Sequence, residues 1–211
     1  MSSRKASRGL RRTVIGVAVL AVVAAMALDT KVVKIGSGED LRSAAFSPAE
    51  YGAAEFPKVQ ADVEAQAVDA ATLAAAIAKD KATAAKEYGV PAGVGPVFSV
   101  KFTGVAGEAK SGIYKVAVEG VPDTLLIRVQ TGPAINGTEL RDASGKIKFG
   151  QFKNQIEYQN AGAAINDQMK KDVLAKVDTS ALTGKTITVV GAFKLINPKS
   201  WLVTPVRLEV Q

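Results

Sequence analysis

The sequence has 211 residues, 47% of them hydrophobic, and can therefore bury the core of one large or two small domains. It lacks cysteine and histidine, which excludes thiolate and imidazole metal sites and any Ser–His or Cys–His catalysis. Its net charge is +7, but five cations lie in the first twelve residues, and the rest of the chain has 22 Lys and Arg against 20 Asp and Glu. We expect no nucleic acid as a partner and no cofactor.

The N-terminal basic cluster precedes an uncharged stretch, residues 13–28. As a helix this stretch is about 24 Å long, slightly short for a bilayer core and close to a signal-peptide apolar region. Residues 25–27 (Ala-Met-Ala) fit a cleavage site. Residues 1–28 are therefore either a signal peptide or an anchor in the cytoplasmic membrane, since the upstream cations disfavour a buried core helix. Both interpretations place the chain after Asp29 outside the cytoplasm.

The next segments are a short alternating run and two stretches with helical signals. Residues 31–35 alternate and predict a short strand or a tether. Residues 47–50 (Ser-Pro-Ala-Glu) can close a capping box and predict the start of a helix, and Pro57 is expected to interrupt this helix or to begin another. Residues 69–88 predict one continuous helix that ends at Gly89.

Period-two alternation dominates the remainder and predicts a strand-rich α+β fold built on a small β-barrel or sandwich. Trp201 is expected in its core rather than in a ligand site. The predicted strands are 97–105, 113–118, 124–130, 186–195 and 202–210, with a helix through much of 156–177.

The densest polar cluster supplies the candidate ligand-binding residues, which are Arg141, Asp142, Asn154, Gln155 and Tyr158. These side chains can line a pocket, because Arg and Asp bind charged or hydroxyl groups, Asn and Gln bind hydroxyls or amides, and Tyr offers a stacking face. The alternative is structural: an internal ion pair between the Arg and the Asp, with the two amides holding a loop. The sequence selects no pair of catalytic carboxylates, so no catalytic residue and no metal ligand is assigned.

Three segments carry a family resemblance: residues 132–158 (GPAINGTELRDASGKIKFGQFKNQIEY), 182–193 (LTGKTITVVGAF) and 204–210 (TPVRLEV). They resemble a bacterial family of predicted periplasmic lipoproteins of unknown function. The resemblance implies tandem OB-like barrels with added helices, which we expect over residues 29–132 and 133–211.

The resemblance also implies a cellular role, because members of the family often occur beside sugar-type ABC transporter components. We expect an exported, non-enzymatic module that binds a small solute or a transporter component. Two alternatives stay open, a carboxylate-dependent carbohydrate hydrolase and a purely structural envelope protein. Many family members have a lipidated cysteine where this chain has Asp29 and Thr30. Without cysteine we expect a peptide anchor or release, and no lipid.

Overall fold

The computed structural model describes residues 3–29 and 46–211 and divides the chain into two compact units, 1–45 and 46–211. The first unit contains helix α1 (Ser3–Asp29), which covers the apolar stretch predicted as a signal peptide or an anchor. Over the described residues, no helix combines the length and the apolar character needed to cross a membrane. Both interpretations of this stretch stay predictions. The strand or tether predicted at residues 31–35 lies outside the described residues.

The second unit is a mixture of strands and helices, which confirms the predicted α+β class. Its helices are α2 (Pro48–Gln66), α3 (Ala70–Lys79), α4 (Lys81–Tyr88), α5 (Glu139–Ala143) and α6 (Gln155–Asp172). Its strands are β1 (Val68–Asp69), β2 (Gly89–Val90), β3 (Val97–Lys110), β4 (Ile113–Val118), β5 (Leu126–Gln130), β6 (Thr186–Lys194) and β7 (Ser200–Val210). Short 3₁₀ turns lie at Phe149–Gln151 and Leu174–Lys176.

Five strands close into a barrel. Strand β3 pairs with β4, β4 with β5, β5 with β7, β7 with β6, and β6 with β3 again. The β5–β7 pair is parallel and the other four pairs are antiparallel. The two-residue strands β1 and β2 add to the first half of β3. A closed ring of this kind satisfies its backbone hydrogen bonds without leaving a free sheet edge.

The strands on both sides of the predicted boundary at residue 132 belong to this one barrel. The β3–β6 ladder joins Val97 to Lys194 at one end and Val105 to Thr186 at the other. Residues 46–211 accordingly form one compact unit. Residues 46–211 therefore contain one barrel, and tandem barrels are not shown. The expectation of two came from the family resemblance, and the strand pattern by itself did not establish a second.

The core lies inside the barrel and between the barrel and its helices. Trp201 is fully buried and stacks on Phe193 with ring centroids 4.4 Å apart, which confirms its prediction as a core residue. Along β3, Phe98, Val100 and Phe102 are buried, as the alternation predicts. The first four residues of β3 are all buried, because helices cover the outer face of that half.

Two helix predictions were wrong. Helix α2 runs through Pro57 without a break. Its face of Phe56, Val59 and Val63 is buried, and this packing offsets the one backbone hydrogen bond that the proline removes. Residues 69–88 form two helices, because the carboxylate of Asp80 accepts hydrogen bonds from the amides of the next turn, begins a new helix and ends the old one.

Candidate functional site

The site is built where the short helix α5 contacts α6. Arg141 of α5 donates from Nε to Oδ1 of its neighbour Asp142 at 2.8 Å, and from Nη1 to the carbonyl of Tyr158 at 3.3 Å. Its guanidinium carbon lies 3.7 Å from the centroid of the Tyr158 ring. The arginine is thereby fixed by an ion pair, a backbone hydrogen bond and a cation–π contact.

A second cation joins from the end of β6. Lys194 donates from Nζ to Oγ1 of Thr138 at 2.9 Å and to Oδ2 of Asp142 at 3.4 Å. The Thr138 hydroxyl in turn donates to Oδ2 of Asp142 at 2.9 Å. The side chains of Arg141, Asp142 and Lys194 are only 8%, 10% and 18% exposed. We call Thr138, Arg141, Asp142 and Lys194 the Asp142 cluster. In this cluster, two cations share one carboxylate.

The Asp142 cluster forms the polar wall of a cavity of about 340 Å³, which we call the Arg141 pocket. Lys148 and Tyr158 also line it. Its apolar wall is made by Val94, Ile147 and Phe149, and the Phe149 side chain is half exposed. A concave, partly apolar cavity with a few converging polar groups is the usual form of a small-molecule site.

Two residues that line the pocket, Phe149 and Tyr158, belong to a group of five aromatic residues. The ring of Tyr158 contacts those of Phe149 and Phe152, and Phe152 contacts Tyr51 and Phe46, all with centroids less than 6 Å apart. Burial raises the pKa of Tyr51 to about 12, and the nearby carboxylate of Glu55 adds to the shift. Burial also raises the pKa of Tyr158, against the opposing influence of Arg141. Both phenols are therefore protonated at neutral pH.

Three of the five candidate residues meet at this pocket, namely Arg141, Asp142 and Tyr158. Asn154 and Gln155 do not line it. Asn154 instead accepts a hydrogen bond from the amide of Glu157 at 2.9 Å and caps helix α6, and Gln155 is an exposed residue of the first turn. The structural interpretation predicted an ion pair between Arg141 and Asp142, and that pair is present. The same pair also lies in the wall of the Arg141 pocket, as the binding interpretation requires.

Sequence reasoning missed Thr138, Lys148, Phe149 and Lys194. Lys194 carried one usable signal, since it is a charged residue at the end of a strand whose preceding residues, Gly191 to Phe193, are all apolar. Its 52-residue separation from Asp142 hides the contact. Within the described part of the chain, no group of three or more carboxylates is placed to hold a metal ion.

The closed five-stranded barrel places the chain in the OB-fold class. A crystal structure of an OB-fold protein from Thermotoga maritima MSB8 matches with a TM-score of 0.62 and 20% sequence identity, covering 79% of this chain and 99% of that one. The family model described as predicted periplasmic lipoprotein (DUF2291) matches residues 17–209, and the chain belongs to this family. The description of this family places its members in the periplasm, which agrees with the location predicted from the sequence. No curated protein matches the chain.

Proposed function

We propose that this chain is a non-enzymatic binding module of the periplasm and that its ligand, a small solute, occupies the Arg141 pocket. One observation carries the proposal. The Asp142 cluster is largely withdrawn from solvent, yet it forms the wall of a cavity. Water in the open wall weakens the ion pairs as a source of stability, while the same opening gives a solute access to the polar groups.

The dimensions and rigidity of the pocket support this proposal. Its volume, about 340 Å³, falls at the lower end of the range for small-molecule sites, roughly 300–1,000 Å³. Arg141 and Lys194 are already held by Asp142 and Thr138, so binding costs little additional side-chain entropy. The half-exposed ring of Phe149 offers a flat apolar surface for the body of the ligand.

The hydrolase alternative lacks such support. Hydrolysis by a carboxylate pair needs two carboxyl groups on either side of the scissile bond. Among the described residues that line the Arg141 pocket, Asp142 alone has a carboxylate, and its two oxygens bind Arg141, Thr138 and Lys194. We therefore propose a binding module rather than a hydrolase for the Arg141 pocket. An accessory role in solute uptake, with an ABC transporter component as partner, is the cellular context that we propose from the family resemblance.

The test is a thermal-shift screen of the full chain in mild detergent against sugars, polyols, sugar acids and nucleosides. A ligand that binds the folded state raises the melting temperature according to RT ln(1 + [L]/Kd). We expect at least one compound to do so, and we expect Phe149→Ala to abolish the shift. The matched control is Ile156→Ala, which removes another exposed apolar side chain that does not line the pocket. A panel without any shift, or a shift that Phe149→Ala leaves intact, would contradict the proposal.

A further inference from the structure

The Arg141 pocket has an excess of positive charge. Of the described residues that line it, Arg141, Lys148 and Lys194 are cationic and only Asp142 is anionic. We infer that the solute bound there is a small organic anion, whose carboxylate or phosphate group accepts hydrogen bonds from the remaining donors of Arg141 and Lys194. This inference rests on the proposed function and adds the chemical class of the ligand.

Arg141 and Lys194 have N–H groups that the described part of the protein does not use as hydrogen-bond donors. A lysine ammonium has three hydrogens, and Lys194 directs its hydrogen bonds at two protein atoms, which leaves one hydrogen. An arginine has five N–H groups, and Arg141 uses one on Asp142 and one on the Tyr158 carbonyl, which leaves three. An anionic oxygen is the acceptor that pairs best with such charged donors.

Low exposure strengthens this preference. Arg141 and Lys194 are 8% and 18% exposed, so their charges act through a medium less polarisable than water. The carboxylate of Asp142 neutralises one of these two positive charges. The second charge in this nearly buried cluster is uncompensated, and an anion in the pocket supplies the missing partner.

The neighbouring cavity shows that the charge is local to this site. That cavity, about 450 Å³, shares Ile147 with the Arg141 pocket and is lined by Glu55 and Glu157 with one lysine, Lys146. Lys146 itself pairs with Asp62 at 2.6 Å. The two adjacent cavities therefore have opposite charge balance, which directs an anion to the Arg141 pocket.

The remaining wall indicates what the anionic group is attached to. Val94 and Phe149 are 90% and 50% exposed beside the polar wall, and Ile147 is buried behind it. These side chains cannot hydrogen-bond and suit the carbon skeleton of the ligand. A solute of this class is an organic carboxylate or phosphate rather than an inorganic ion.

Isothermal titration calorimetry on the full chain in mild detergent tests the inference with matched probes. Each of two skeletons is presented as neutral, carboxylate and phosphate forms: glucose, glucuronate and glucose 6-phosphate, and glycerol, glycerate and glycerol 3-phosphate. We expect a carboxylate or phosphate form to bind at least about tenfold more tightly than its neutral parent, as one additional charge-assisted hydrogen bond implies. The phosphate and carboxylate arms separate the two kinds of anion. Added salt should weaken only the anionic forms.

Two variants locate the binding. Lys194→Gln removes the second cation, and we expect it to reduce the anion's affinity about tenfold while the neutral parent changes less than twofold. Lys148→Gln, at an exposed lysine of the same pocket, should have a smaller effect in the same direction. The control is Lys199→Gln, an exposed lysine of the β6–β7 connection outside the pocket, which should change nothing. Melting temperatures of the free variants verify that each is folded.

The results separate this inference from the proposed function. A neutral parent that binds as tightly as its anions, with Phe149→Ala abolishing the binding, would overturn the anion inference and leave solute binding in place. An affinity for the anion that neither Lys194→Gln nor Lys148→Gln reduces would also overturn the anion inference. If none of the six probes binds, the inference is overturned, and the thermal-shift panel alone then decides the proposed function.

Discussion

The guanidinium carbon of Arg141 lies 3.7 Å from the centroid of the Tyr158 ring, so a cation of helix α5 is stacked on an aromatic residue of α6. This contact links the two helices inserted between β5 and β6 and holds Asp142 beside Lys194 at the end of β6. The pocket therefore exists because an inserted helix pair is fixed onto one end of the barrel.

Removing Asp142 should destabilise the fold more than removing Arg141. Asp142→Ala leaves Arg141 and Lys194 nearly buried without their shared counter-charge, and we expect a loss of about 3–5 kcal/mol. Arg141→Ala should cost less, because Lys194 and Thr138 still bind the carboxylate. Urea denaturation measures both.

The matched control for these variants is Lys146→Ala, which breaks an ion pair whose lysine is 70% exposed. We expect it to cost about 0–1 kcal/mol. Equal losses for all three variants would show that the Asp142 cluster is no better shielded than a surface ion pair.

Asn154 should affect stability and leave binding unchanged. Asn154→Ala removes the cap of α6, the hydrogen bond from the Glu157 amide at 2.9 Å, and should cost about 1 kcal/mol. Gln155→Ala, the adjacent exposed residue, should cost little. Chemical denaturation and titration with a ligand from the thermal-shift panel test the two parts. A loss of affinity without a loss of stability would return Asn154 to the binding site.

The turn between β3 and β4 requires glycine at position 112. Gly112 has φ of +72°, and a Cβ there would overlap the carbonyl oxygen of Gly132. Gly184 has a similar φ of +79° with open space around it, so Gly184→Ala costs only the backbone strain, about 1–2 kcal/mol. We expect Gly112→Ala to lower the melting temperature clearly more than Gly184→Ala. Comparable melting temperatures would mean that the backbone at Gly132 shifts to make room for the added Cβ.

Tyr51 should make the fold sensitive to alkali. Its pKa is raised from about 10 to about 12 by burial and by Glu55, so the folded state favours the neutral phenol. The resulting stability is complete below pH 10 and is lost as the pH rises towards about 12. The free energy of unfolding should therefore fall less steeply over this window in Tyr51→Phe than in the wild type. Identical pH profiles would show that the phenol is solvated.

The sequence predicted most strands because barrel strands bury alternate residues, which period-two patterning reports directly. It missed the end of β3, which runs to Lys110, because residues 107–110 are polar or small and pair with β4 without burying a side chain face. The break at Asp80 was missed for a different reason. An aspartate in a helix-favouring stretch gives no sign of whether it faces solvent or caps a new helix.

The candidate site was predictable only where it is local. Arg141 and Asp142 are adjacent, and Tyr158 follows two turns and a helix start later, so one segment contained all three. Lys194 is contributed by the end of a distant strand, and only barrel closure places it against Asp142. Phe149 was missed because its exposure depends on the tertiary path of its 3₁₀ turn.

A crystal structure of the full chain with a solute from the thermal-shift panel tests the proposed function directly. We expect the solute to lie in the Arg141 pocket, with a polar group bound to Arg141 and Lys194 and its skeleton on the Phe149 ring. A solute bound instead on the β4–β5 side of the barrel, in the cavity lined by Lys115 and Leu126, with the Arg141 pocket empty, would contradict it.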